Sequence, residues 1–151
     1  MIDFTVKTRI ARPVPEVFAY ATDPASLASW QENTVSAVPE GSGPLALGSR
    51  IREIHRAPGG RELESVVEVS EYERDRTFGL RVVEGVPVHA QMTFEPTGDG
   101  TLVSFRAYGQ LGGAMRLAQP LLQLTLRRQF TKHCAALKQR LETEQRSRPS
   151  A

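Results

Sequence analysis

Two residues of this sequence form its best candidate for acid/base chemistry. Glu53 and His55 are separated by one residue in a segment of apolar alternation, and alternate residues of a β-strand point to the same side of the sheet. A carboxylate beside an imidazole can fix the tautomer of the ring and raise its basicity. If Ile51 points into the protein, Glu53 and His55 do too. If Ile54 points inward instead, both polar residues lie in water, and the pattern fits either assignment.

Three further side chains are candidates for catalysis or binding. His133 lies on the apolar stripe of a predicted C-terminal helix, where it can exchange a proton inside an apolar pocket or bond to a backbone carbonyl at the margin of the stripe. Ser65 is expected on an apolar strand face, where its hydroxyl can orient a ligand or bond to a neighbouring strand. Trp30 is expected either to contact a ligand or to close the end of the core.

Motifs of several other chemistries are missing from the sequence. The three histidines and the single cysteine, Cys134, do not have the spacing of a zinc motif, and there is no Gly-x-Ser-x-Gly elbow and no glycine-rich phosphate loop. The sequence therefore predicts neither a metal nor a cofactor. One cysteine excludes a disulfide within the chain and fits a reducing, cytoplasmic location.

The composition is that of a globular domain. The chain has 151 residues, 40% of them hydrophobic and 24% charged, and it shows no leader-like start and no apolar stretch long enough for stable membrane insertion. Residues 1–115 contain 11 Lys/Arg and 15 Asp/Glu, whereas residues 116–151 contain 8 and 2. A basic terminal helix is usually a solvated face, so no nucleic-acid partner is predicted.

Hydrophobic periodicity predicts seven strands and three helices. The opening strand ends near Ile10, and two short helices follow it. The other strands and the helices are expected at 34–39, 49–56, 62–72, 77–84, 86–95 and 101–110 for strands, and at 12–20, 24–29 and 114–142 for helices. Pro120 requires the long helix to kink or restart. Residues 1–142 are predicted to form a single ligand-binding domain, and residues 143–151 a frayed polar tail.

This order of elements is an α+β plan in which a curved antiparallel sheet grips one long helix. The chain resembles the START-like (SRPBCC) superfamily, and within it the polyketide cyclase/dehydrase-like branch, which has the helix-grip fold. The resemblance spans residues 2–142 and is carried by five segments: 10–18, Asp23-Pro24 followed by Trp30, Leu47-Gly48-Ser49-Arg50, 97–103, and Pro120-Leu121-Leu122 followed by 127–130.

The resemblance implies a cavity between the sheet and the long helix, opening near the short helices and the strand-connecting loops. A bent sheet diverges from a straight helix, and the side chains available to fill the wedge are modest in size. We therefore expect a pocket of roughly 300 Å³ or more, although a collapsed core is the alternative. The residues expected to contact a ligand are Trp30, Ser65, Val67, Leu80, Val82, Ala90, Met92, Val103, Phe105, Leu122, Leu126 and Phe130.

Three functions are consistent with this reading. The leading hypothesis is binding of a hydrophobic small molecule, such as a lipid, a polyketide or an isoprenoid-like compound. The first alternative is a polyketide cyclase or dehydratase that uses the same cavity, with Glu53, His55 and His133 as its catalytic candidates. The second alternative is an interaction module that forms a homodimer through surplus leucines of the C-terminal helix, Leu117, Leu121 and Leu124.

Overall fold

A computed structural model describes residues 1–57 and 59–147, the last four of these for the backbone alone. The described residues form a seven-stranded antiparallel sheet, two short helices after the first strand, and a long C-terminal helix. In chain order the elements are β1 Ile2–Ile10, α1 Val14–Thr22, a 3₁₀ turn Pro24–Ser26, α2 Leu27–Trp30, β2 Thr34–Pro39, β3 Arg50–Arg56, β4 Glu62–Glu73, β5 Thr77–Glu84, β6 His89–Thr97, β7 Gly100–Gly109, a 3₁₀ turn Gly113–Arg116 and α3 Gln119–Ser147. The predicted α+β helix-grip fold is confirmed.

The strands lie in the order β1-β7-β6-β5-β4-β3-β2. Every pair of adjacent strands except β1 and β7 is therefore also consecutive in the chain. β1 crosses to pair with β7, from Ile2 opposite Gly109 to Ile10 opposite Thr101. Irregular register occurs in β4 between Val66 and Val67 and again between Val69 and Glu71. Such bulges bend a strand and increase its twist, and they help to give the sheet the concave face that holds the site.

Proline explains two boundaries that the periodicity left open. β6 begins at His89 rather than at the predicted residue 86, because Pro87 in the preceding turn has no amide to donate to a neighbouring strand. The C-terminal helix restarts at Gln119 after a separate 3₁₀ turn. Pro120 therefore lies in the first helical turn, where its missing amide leaves no hydrogen bond unmade.

α3 extends past the predicted helix end at residue 142. Its backbone is helical to Ser147, and the added residues include glutamate, glutamine and arginine, which all favour helix. Of the tail predicted for residues 143–151, only 143–147 can be compared with the structure, and residues 148–151 lie outside the described range.

The C-terminal half of α3 is anchored to the connection between β1 and α1. Arg12 donates from Nε to the carbonyl of Leu141 at 3.1 Å and from Nη2 to the carbonyl of Glu142 at 3.1 Å. The Glu142 carboxylate accepts the backbone amide of Ala11 at 2.9 Å and lies 2.9 Å from Lys138 Nζ. These contacts hold one end of the helix against the sheet. None of the helices in the described residues has both the length and the apolar character needed to cross a membrane.

Candidate functional site

A cavity of about 650 Å³ lies between the concave face of the sheet and α3. This volume exceeds the expected minimum, so the alternative of a collapsed core is wrong. Ten of the twelve residues expected to contact a ligand line this cavity. They are Ser65, Val67, Leu80, Val82, Ala90, Met92 and Phe105 from the sheet and Leu122, Leu126 and Phe130 from α3.

Side-chain size explains why the sheet and the helix do not close on each other here. Val82 and Ala90 point toward α3 from adjacent strands, and Leu122 and Leu126 on the helix remain half-buried. Small side chains on a concave surface cannot reach a straight helix, and protein interiors otherwise pack closely. The space between them is therefore a property of the residue types as well as of the curvature.

Trp30 and Val103, which were also expected to contact a ligand, do not line the cavity. Trp30 is 1% exposed and packs edge-on against Phe105 and His133, with ring centroids 6.3 and 6.2 Å apart. Trp30 closes the end of the core, as the second of its two expected roles predicts. Val103 is fully buried in the same core cluster. It lies two residues along β7 from Phe105, which moves it about 7 Å toward the closed end of the sheet.

The position of the cavity mouth agrees only in part with the expectation. The lining residues Leu63, Val86 and Met115 are exposed, and they lie at the start of β4, between β5 and β6, and before α3. In contrast, Ala21 and Leu27 of the short helices are buried. The mouth is thus near the strand-connecting loops, and the short helices contribute to the floor.

The ambiguous strand face of Glu53 and His55 is settled by the sheet register. Ile51 is buried and Glu53 is only 6% exposed, whereas Ile54 lies on the other face. Glu53 is directly opposite Ser65 on β4. Glu53 Oε1 lies 3.2 Å from His55 Nε2, and both residues line the cavity. Of the two orientations that the sequence pattern allowed, the inward one is observed, and Glu53 and His55 lie together facing the interior.

Hydrogen bonds among Gln31, Thr34 and His55 indicate which ring nitrogen of His55 carries a proton. The Thr34 hydroxyl donates to Gln31 Oε1 at 3.0 Å and lies 3.3 Å from His55 Nδ1. A hydroxyl that donates to Gln31 is left to accept at Nδ1, so Nδ1 carries a proton. Nε2 is then the ring nitrogen that faces the Glu53 carboxyl group, so a proton passed within the pair moves through this atom.

His133 lies on α3 beside this pair and is 5% exposed. Its Nε2 is 3.0 Å from Asn33 Oδ1, and its Nδ1 has no hydrogen-bond partner among the residues that the structure describes. Burial, reinforced by the nearby His55, lowers the pKa of His133 from 6.5 to about 4. The ring is therefore neutral near pH 7 and leaves one buried polar atom unpaired.

Five polar lining residues were not predicted: Thr22, Gln31, Asn33, Glu64 and Gln129. Gln31 and Asn33 lie in the loop between α2 and β2, where no periodicity tells which way a side chain points. Gln129 precedes His133 by four residues, and residues four apart share a helix face. The four-residue spacing from His133 is therefore the feature of the sequence that could have identified Gln129 as a lining residue.

Two other types of reactive group do not contribute to the site. Burial raises the pKa of the Cys134 thiol to about 12, so it is not a thiolate nucleophile near neutral pH. Within residues 1–57 and 59–147, no three His, Cys, Asp or Glu side chains are grouped so that they could hold a metal ion.

The fold and the cavity agree with a family of known proteins. The family model described as "Polyketide cyclase / dehydrase and lipid transport" matches residues 1–142. The chain belongs to this family. The match confirms the resemblance to the polyketide cyclase/dehydrase branch of the SRPBCC-type proteins.

Solved structures of other members of this fold superpose on nearly the whole chain. Protein TTHA0849 from Thermus thermophilus has a TM-score of 0.78 at 18% identity, covering 94% of this chain and 98% of that one. Cgl2372 from Corynebacterium glutamicum, described as Polyketide_cyc-like, has a TM-score of 0.67 at 21% identity, covering 95% and 93%. Likeness at this level of identity shows the fold alone.

A third similar structure is a longer protein. StfQ, described as a di-domain ARO/CYC from the steffimycin biosynthetic pathway, has a TM-score of 0.80 at 14% identity. The match covers 95% of this chain but 51% of StfQ, so this chain corresponds to about half of it. A comparison with curated proteins gave no sequence match.

Proposed function

We propose that this protein binds a hydrophobic small molecule in the cavity between the sheet and α3. The observation that carries the proposal is the cavity of about 650 Å³ with a largely apolar wall. Pockets of this size suit small organic ligands, and an unfilled space of this size is unusual because interiors normally pack closely.

The comparisons support the chemical class of the ligand. The family description names both polyketide cyclisation and lipid transport, and these two activities handle mainly hydrophobic molecules. StfQ is described as an ARO/CYC of a biosynthetic pathway. We therefore propose a lipid, a polyketide or an isoprenoid-like compound as the ligand of this chain.

A fluorescence titration tests ligand binding directly. The neutral, apolar dye N-phenyl-1-naphthylamine is added to the wild type, to Ala90→Phe and to Thr93→Phe. Ala90 lines the cavity, whereas Thr93 lies on the opposite face of the same strand. We expect saturable binding to the wild type and to Thr93→Phe, and binding about tenfold or more weaker to Ala90→Phe, because the added ring occupies the cavity. No saturable binding to the wild type, or equal binding to all three proteins, contradicts the proposal.

A second candidate function, a cyclase or dehydratase reaction, is favoured by the Glu53–His55 pair inside the cavity. In a dehydration, the basic partner removes a proton from the carbon next to a carbonyl. The C–O bond of a neighbouring hydroxyl breaks, and the departing oxygen takes a proton from the acidic partner and leaves as water. Positioned proton transfer of this kind typically contributes about 10²- to 10⁴-fold in rate.

Glu53→Gln and His55→Gln test this candidate with a β-hydroxyacyl thioester that carries a long acyl chain. For a dehydratase, each substitution lowers the rate of water loss about 100-fold or more, while the dye titration still shows an open cavity. His89→Gln serves as a control because its ring stacks on Tyr108, outside the cavity lining. No turnover by the wild type with such thioesters leaves binding as the function.

The exposed leucines of the C-terminal region carry the third proposal, a homodimer. Leu117, Leu121 and Leu124 are 89%, 69% and 47% exposed. Leu121 and Leu124 lie on one side of α3, and Leu117 lies in the turn before it. Light scattering of the wild type and of Leu121→Glu tests the contact. A dimer that becomes a monomer on substitution supports it, and two monomers exclude it.

A further inference from the structure

The ionisable side chains in the described cavity lining are glutamates and histidines. Among the described residues of its lining there is neither a lysine nor an arginine, although two glutamates and two histidines are present. Glu64 is exposed at the mouth and pairs with Arg52 on the outer side of the sheet. Glu53 is therefore the acidic group of the interior. The basic residues of α3 near the cavity point toward solvent: Arg127, Arg128 and Lys132.

Neither histidine supplies a free positive charge. His55 lies against Glu53, so any imidazolium that forms there already has its counter-ion. Burial keeps His133 neutral, since its pKa is lowered to about 4. A ligand carboxylate in this cavity thus adds a buried negative charge beside Glu53 and finds no unpaired cation. Like charges in a low-dielectric site disfavour the ionised form strongly.

The polar groups that remain are suited to uncharged ligands. Asn33, Gln129 and Ser65 line the cavity with neutral donors and acceptors, and the Nδ1 atom of His133 is buried without a partner among the described residues. A buried acceptor without a partner costs free energy, and the hydroxyl or amide group of an uncharged ligand can supply the missing donor.

We propose that the cavity selects uncharged hydrophobic molecules that carry a hydrogen-bonding group, such as a hydroxyl, a ketone or an amide, and rejects carboxylates. Glu53 is the specificity-determining residue, because its carboxylate occupies the place beside His55 that a ligand carboxylate would need. This inference rests on the proposed binding function and narrows its ligand class.

A competition series with one hydrocarbon chain and four head groups tests the inference. Decan-1-ol, decanamide, decanoate and decylamine, each below its micelle concentration, displace N-phenyl-1-naphthylamine from the wild type, from Glu53→Gln and from Glu68→Gln. Glu68 is the matched control, since it lies on β4 and pairs with Arg50 and Arg81 on the outer face. Circular dichroism and a urea unfolding transition show whether each variant is folded.

For the wild type we expect decan-1-ol and decanamide to compete about tenfold or more better than decanoate. In Glu53→Gln, His55 is left without its anion, so a ligand carboxylate can take that position. The ratio of the decan-1-ol affinity to the decanoate affinity should then fall about tenfold or more, because decanoate binding strengthens. Glu68→Gln should behave as the wild type.

Each unfavourable outcome of the competition experiment contradicts a different part of the proposal. Decanoate or decylamine competing as well as decan-1-ol in the wild type overturns the selectivity but leaves the binding function intact. A gap that persists in folded Glu53→Gln overturns the role of Glu53. If Glu53→Gln does not fold, the order of the four competitors on the wild type still decides the selectivity. Absence of saturable dye binding to the wild type contradicts the binding function itself.

Discussion

Leu137 and Leu126 lie on the same helix, eleven residues apart, and their surroundings are opposite. Leu137 is fully buried together with Cys134 and Leu141, against the aromatic core around Phe18. Leu126 is half-buried and faces the cavity. One helix therefore serves two purposes along its length: its C-terminal half secures the fold, and its N-terminal half covers a space that the fold leaves open.

The largest expected difference between these two regions is in stability. Leu137→Ala should lower the free energy of unfolding by about 2–5 kcal/mol, because it removes buried methyl groups and leaves a cavity in a packed core. Leu126→Ala should cost less than about 1 kcal/mol, since its neighbours on one side are already missing. Urea unfolding of both variants measures the difference. Equal losses would show that α3 is packed uniformly.

Two alanines that face each other on adjacent strands allow the stability of the packed core and of the cavity region to be compared by adding volume to each. Ala107 on β7 is fully buried beside Phe4 and Leu111, and it lies opposite Ala90 on β6, which lines the cavity. Ala107→Phe should destabilise the protein by about 1–3 kcal/mol through overpacking, whereas Ala90→Phe should be nearly neutral. Thermal unfolding of both variants checks this, and a loss at Ala90 as large as at Ala107 would show that no space is available there.

Acid sensitivity is expected from His133, which lies where the two regions meet. Its pKa in the folded protein, about 4, is below the ordinary value of 6.5, so the unfolded chain binds more protons between these values. Stability is complete above the higher value and falls as the pH decreases toward the lower one. Between about pH 7 and about pH 5.5 the loss should be about 1 kcal/mol.

His133→Gln isolates this contribution, because a glutamine can still bond to Asn33 and does not titrate. The difference in free energy of unfolding between the two pH values, measured in urea, should be smaller in the variant by the amount attributed to His133. An unchanged pH dependence would mean that His133 is readily protonated in the folded protein.

The smallest effect is expected at the mouth of the cavity. Val86 lies in the turn between β5 and β6 and is 43% exposed. Val86→Ser should change the free energy of unfolding by less than about 0.5 kcal/mol, as is usual for surface positions. A larger loss, measured by urea unfolding, would indicate that the mouth is packed in solution and would weaken the contrast between the two regions.

Several features of the site followed from the sequence because they depend on local rules. Strand alternation placed Val67, Leu80 and Met92 on one face, and helical spacing placed Leu122 and Phe130 on one stripe. Both sets line the cavity. The same rules failed for Val103, which has the right face but lies too far toward the closed end of the sheet. Periodicity shows which side of a strand or helix faces the core. It does not show where along that element the sheet and α3 come into contact.

The amino-acid sequence by itself determined the elements, their order, the family and the inner face of most strands, because backbone propensities and side-chain periodicity act between near neighbours. Only the tertiary structure decided that Glu53, His55 and His133 meet in one interior, that Trp30 closes the core, and that no lysine or arginine of the described lining faces the ligand space. Those facts depend on strand register, on bulges and on the distance between a bent sheet and a straight helix. These quantities arise from contacts between residues that are far apart in the chain.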